Sequence, residues 1–89
     1  MYQARIYVTL KSTVNDPQGL TVQSSLHRLG FENAGDVRVG KYLLVNLDET
    51  DRAKAERSVT EMCQKLLANP VIEEFRFDLE EIPAPAATS

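Results

Sequence analysis

The sequence predicts a two-layer α+β sandwich, with elements in the order β-α-β-β-α-β and two helices on one face of an antiparallel sheet. Three observations carry this ferredoxin-like order. Strict two-residue alternation runs through Tyr2–Lys11. Two apolar stripes at helical spacing lie over 17–29 and 49–68, each opened by a capping residue and closed by Gly or Asn-Pro. Alternation returns over 36–48 and again over 71–79. Right-handed crossovers then leave the second and fourth strands at the sheet edges.

The first strand has Tyr2, Ala4, Ile6, Val8 and Leu10 on one face and Gln3, Arg5, Tyr7, Thr9 and Lys11 on the other. Asp16-Pro17 opens the first helix. The Asp16 carboxylate suits the first free N–H groups, and proline fits the first helical position because its missing N–H costs nothing there. Gly19 in the first turn weakens helix propensity, and a close backbone approach is its other use. Val22, Leu26 and Leu29 form the apolar stripe; Gly30 is a left-handed stop, with Phe31 folding back as a cover.

In 36–48, Val37, Val39, Leu43, Val45 and Leu47 share one parity, and Lys41 is the only charge in that register. Thirteen residues exceed the usual strand length of about 5–6. The reading preferred here is two strands joined by a tight turn at Gly40-Lys41-Tyr42; one strand kinked at Gly40 is the alternative. Thr50 or Asp48 is expected to cap the second helix, whose stripe is Ala55, Val59, Met62 and Leu66, widened by Cys63 and Leu67. Asn69-Pro70 ends it. Phe75, Phe77 and Leu79 mark the last strand. A single domain is expected over 1–82, with a Pro/Ala tail over 83–89.

Composition narrows the function. A net charge of −3 leaves no basic excess for a nucleic-acid footprint, and no RNA-binding Gly-aromatic signature follows a strand. No apolar run reaches the roughly 18 residues of a membrane span. One cysteine forbids an internal disulfide and, with no signal-peptide core at the start, points to the cytoplasm. His27 and Cys63 lack partners at catalytic or metal-ligand spacing, so no catalytic, cofactor or metal residue is expected. Glu73-Glu74 and Glu80-Glu81 are strand neighbours on opposite faces and form no acid–base pair. Lys11–Asp16 is no anion loop, and Val39-Gly40-Lys41 lacks the Walker spacing. A domain of this size buries only about 60–65% of its unfolded surface, which favours oligomers.

Three stretches together resemble the PurS family of phosphoribosylformylglycinamidine (FGAM) synthase subunits. They are Asp16-Pro17-Gln18-Gly19 with Val22 and 26–31, then Asp36-Val37-Arg38-Val39-Gly40-Lys41-Tyr42, and then 62–73 with Asn69-Pro70. The resemblance covers 2–81; Asn15 stands where members often carry Leu. It implies a small subunit without catalytic residues in the fourth step of purine biosynthesis. There a PurQ glutaminase releases ammonia, and a large PurL subunit uses ATP and Mg to ligate it to formylglycinamide ribonucleotide. The small subunit is implied to dimerise, to bridge PurL and PurQ, and to help ammonia pass. Arg38, Gly40, Lys41 and Tyr42 are the expected subunit-contact residues; Asp16, Pro17, Gly19, Asn69 and Pro70 are expected to be structural. The alternative in another class is an ACT-like dimer that binds a small molecule between protomers.

Overall fold

A computed structural model describes residues 1–83 of the chain. The elements are β1 (Tyr2–Leu10), α1 (Pro17–Arg28), β2 (Lys41–Leu47), α2 (Arg52–Met62), continued by a π-helical turn (Cys63–Leu67), and β3 (Glu73–Glu81). The strands form one antiparallel sheet in the order β2-β1-β3. The α+β class and the antiparallel sheet are as the sequence reads them. From residue 84 the expected Pro/Ala tail lies outside the described residues.

β1 is central and its alternation is complete. Tyr2, Ala4, Ile6 and Val8 are buried, while Gln3, Arg5 and Tyr7 are half-exposed. α2 and the π-helical turn lie over the buried face, with Ala55, Val59 and Cys63 fully covered. Leu43, Val45, Phe75, Phe77 and Leu79 flank this core half-buried. Burial pushes the Cys63 thiol pKa up, which disfavours its thiolate. Native protein is therefore expected to react with a thiol reagent at least 100-fold more slowly than protein in denaturing urea. Equal rates in both conditions would contradict this core.

Helix ends follow local chemistry. Gly30 sits at φ 98°, Phe31 N–H donates to Leu26 O at 2.9 Å, and Gly30 N–H donates to His27 O at 3.1 Å. That is a Schellman stop, and a positive φ of this size favours glycine. Asp51, rather than Thr50 or Asp48, caps α2: its carboxylate accepts from Ala53 N–H at 2.9 Å. Glu49 accepts from Asp51 and Thr50 N–H groups, so it organises the approach to the cap. In the π-helical turn, Ala68 N–H donates to Cys63 O at 2.9 Å, which widens the last turn before Asn69.

Two details differ from the sequence reading. Residues 36–39 pair with no strand among the described residues, so three strands stand where four were expected. Gly40 is not in the left-handed region, and no tight turn forms there. The shared parity of Val37, Val39, Leu43 and Val45 therefore reports a common facing direction, not a hairpin. The second difference concerns α1, which contributes no side chain to the core. Gly19 is its only buried residue, and Leu20, Val22 and Leu29 are exposed.

The shape follows from this. The radius of gyration is 17.2 Å, against about 12 Å for a compact chain of this length. The longest dimension is 50 Å. Residues 16–39, helix out and chain back, form an arm that places no side chain in the core of the sheet.

Candidate functional site

The base of the arm is organised by one carboxylate. Asp16 is 5% exposed. Its Oδ1 accepts from Gly19 N–H at 2.9 Å, and its Oδ2 accepts from Val39 N–H at 2.7 Å. One side chain therefore caps α1 and ties the returning chain to it. The N–H groups of Val39 and Gly19 hold the Asp16 carboxyl below the usual carboxylate range. Pro17 occupies the first helical position. A Cβ on Gly19 would stand 1.9 Å from Val37 O, so only glycine lets the two backbones meet. Arg38 Nη2 donates to Lys11 O and Ser12 O, both at 3.0 Å, and fastens the arm to the end of β1. Gly40 serves close approach as well: a Cβ there would lie 2.6 Å from Val8 O. Beside this base lies a groove of 420 Å³, lined in part by Thr13, Leu20, Gln23, Asp36 and Arg38.

These bonds predict a pH dependence. Asp16 and Glu49 both have pKa values lowered in the folded state, each by backbone N–H groups donating to the charged form. The unfolded chain then binds protons first as pH falls. Their stabilisation is complete above the ordinary carboxylate range and is lost as pH drops through the folded values. The urea midpoint is expected to be flat from pH 8 to 6 and to fall below about pH 4. Asp16→Asn is expected to flatten part of that acid limb; an unchanged limb would mean Asp16 does not anchor the arm.

Lys41 and Asn69-Pro70 meet at the other helix. Lys41 Nζ donates to Leu67 O at 3.3 Å and stands 3.7 Å from Glu73 Oε2. Asn69 Oδ1 accepts from Val71 N–H at 3.1 Å, and Glu73 Oε1 accepts from Asn69 N–H at 2.7 Å. Pro70 follows within the same turn. The start of β2 is thereby joined to the end of the second helical segment.

Tyr42 points elsewhere, onto the open face of the sheet. It pairs with Tyr7, whose ring centroid is 5.1 Å away, and the Arg76 guanidinium sits 4.0 Å above the Tyr7 ring. Tyr42 is 55% exposed and Leu44 beside it 57%. Arg5 and Glu80 form an ion pair on the same face. The sequence places Tyr7 and Arg5 on this face by parity and reads Tyr42 as part of a turn; the Tyr7–Tyr42 and Tyr7–Arg76 contacts need the strand register, which sets Tyr7 opposite both Tyr42 and Arg76. The expected contact residues thus do not form one patch: Arg38 and Gly40 lie at the arm base, Lys41 at the helix end, and Tyr42 on the sheet. Sequence reasoning missed the exposed apolar side of the arm, because a stripe of Val22, Leu26 and Leu29 reads as a core face.

Ionisable side chains that bond the chain's own backbone, beside exposed apolar and aromatic surface, mark a small α+β module. The chain belongs to the PurS family, described as phosphoribosylformylglycinamidine (FGAM) synthase, whose match spans residues 3–81. The FGAM synthase subunit PurS of Bacillus subtilis is 46% identical over 84 residues, covering 94% of this chain and 99% of that one. A crystal structure of PurS from Methanocaldococcus jannaschii superposes with a TM-score of 0.83 at 40% identity. It covers 93% of this chain and 100% of its own, too much to leave the arm out. That protein is one of the subunits of formylglycinamide ribonucleotide amidotransferase in the purine biosynthetic pathway. A chain in the PurLQS structure from Thermotoga maritima matches with a TM-score of 0.81 at 29% identity, covering 89% of this chain and 96% of its own.

Proposed function

We propose that this chain is the small, non-catalytic subunit of an FGAM synthase, that it self-associates, and that it bridges a PurL synthetase and a PurQ glutaminase. In this role it supports passage of ammonia from glutamine to formylglycinamide ribonucleotide in the cytoplasm. It holds neither ATP nor Mg; the large subunit uses both. The observation that carries the reading is the family match over 3–81, together with the likeness to a chain of the PurLQS assembly. The chemistry agrees with it. Ammonia stays nucleophilic only while unprotonated, so its path has to be shielded from water by docked subunits.

The experiment is co-sedimentation with PurL and PurQ from the same organism, in glutamine and Mg-ATP. A three-component complex is expected. A small chain that sediments without them, and binds an amino acid alone, would overturn the reading in favour of the ligand-binding dimer.

The proposed contacts lie at three places: Arg38 and Gly40 at the arm base, Lys41 at the helix end and Tyr42 on the open sheet face. Arg38 and Lys41 shape them by holding backbone carbonyls, and Tyr42 presents its ring. Lys41→Ala removes one exposed ion pair and one bond, so stability is expected to change by less than about 1 kcal/mol. Complex formation is expected to weaken about tenfold. Unchanged assembly would remove Lys41 from the contact.

A further inference from the structure

The 420 Å³ groove at the arm base gathers polar side chains that bond nothing in their own chain. Ser12, Thr13, Asn15, Gln23 and Asp36 line it, and none of their side chains makes a hydrogen bond or ion pair among the described residues. Arg38 is half engaged. Its Nη2 donates to Lys11 O and Ser12 O, while Nε and Nη1 have no acceptor among the described residues. Asp36 and Arg38 stand two apart on the chain that returns from α1, so they leave it on one side, and both line the groove. They do not pair with each other. The groove thus holds one negative and one positive group, each open to a partner.

The walls are set before anything binds. Asp16 joins Gly19 N–H to Val39 N–H, and Arg38 fastens the returning segment to the end of β1. A site ordered in advance loses less freedom on binding. The walls are also open: Ser12, Asp36 and Arg38 are exposed. A small molecule is held by burying about 70–90% of its surface, and exposed walls cannot cover one to that degree. A segment of another protein brings its own cover. It excludes water from the two charges as it docks, which strengthens their pairing.

We propose that this groove receives a segment of one of the larger subunits, with a carboxylate set against the free N–H groups of Arg38 and a lysine or arginine set against Asp36. The inference rests on the assembly reading above and names the partner chemistry at one of its contacts. It adds Asp36, to which that reading gives no role.

The test uses the full chain with PurL and PurQ of the same organism, in glutamine and Mg-ATP. Sedimentation is followed with each subunit alone and with both. Asp36→Lys is the variant, because Asp36 bonds nothing among the described residues and the bonds of the arm base do not involve it. Glu32→Lys, also exposed, makes the same change of charge outside the groove. Asp36→Lys is expected to raise the dissociation constant toward one subunit at least tenfold, with unchanged circular dichroism and unchanged self-association. Glu32→Lys should match the parent. An Asp36→Lys complex as tight as the parent's would overturn the inference and leave the assembly reading standing; a parent that joins neither subunit would overturn both. Loss of self-association in Asp36→Lys would overturn it by making the groove a contact between copies. A thermal midpoint that rises with a free amino acid in the parent but not in Asp36→Lys would overturn it in favour of a small-molecule site.

Discussion

Replacing Gly19 by alanine is expected to destabilise the protein by about 1–3 kcal/mol, although local propensity argues the reverse. In a helix, alanine is favoured over glycine by about 0.8–1 kcal/mol, so an unconstrained α1 would gain from the change. The geometry decides the sign. The new Cβ would stand 1.9 Å from Val37 O and 2.8 Å from Val37 C, both backbone atoms that no rotamer can move. Relief requires the returning chain to shift. That strains the bonds from Val39 N–H to Asp16 and from Arg38 to Lys11 O and Ser12 O. Urea titration of the two proteins measures it. A lower midpoint at unchanged slope is the expected result; a higher midpoint would show that α1 and the segment 36–39 do not meet as described.

Ile6→Ala is expected to cost more, about 2–5 kcal/mol. Ile6 is fully buried in the central strand, in the same core cluster as Val59 and Cys63. A chain of this size has roughly 4–13 kcal/mol in total, at about 0.05–0.15 kcal/mol per residue, so the loss is a large fraction of it. Leu29→Ala is the informative comparison. Both are large aliphatic residues at regular apolar positions, yet Leu29 is 73% exposed. Within one chain its truncation should cost under about 0.5 kcal/mol. Thermal or urea unfolding at low protein concentration separates the two. Equal costs would mean that α1 packs on its own sheet.

That comparison also marks how far the sequence could be read. β1 was legible because period-two alternation has one meaning when one face is buried, and α2 because Ala55, Val59 and Met62 hold helical spacing; Leu66, read into the same stripe, falls in the π-helical turn and is 82% exposed. The Asp16-Pro17 start and the Gly30-Phe31 stop are written in local chemistry that needs no tertiary context. The segment 36–39 was not legible. Parity sets which way Val37 and Val39 face but says nothing of whether a neighbour pairs with them. Nor was the position of α1, since Val22, Leu26 and Leu29 make the same stripe whether they face their own core or another surface. At the candidate site, Asp16 and Gly19 were visible as a cap and a place for close approach. That Val37 and Val39 complete that knot depends on contacts some 20 residues apart in sequence, which no motif encodes.

The chain belongs to the PurS family, and the role proposed for it is assembly with larger catalytic subunits. The most direct measurement is FGAM formation by purified PurL and PurQ of the same organism, with Mg-ATP and formylglycinamide ribonucleotide, with and without this chain. With glutamine as nitrogen donor the rate is expected to depend on the chain, while with free ammonia PurL alone should turn over at the same rate in both cases. A glutamine-dependent rate that is equally fast without the chain would contradict the account.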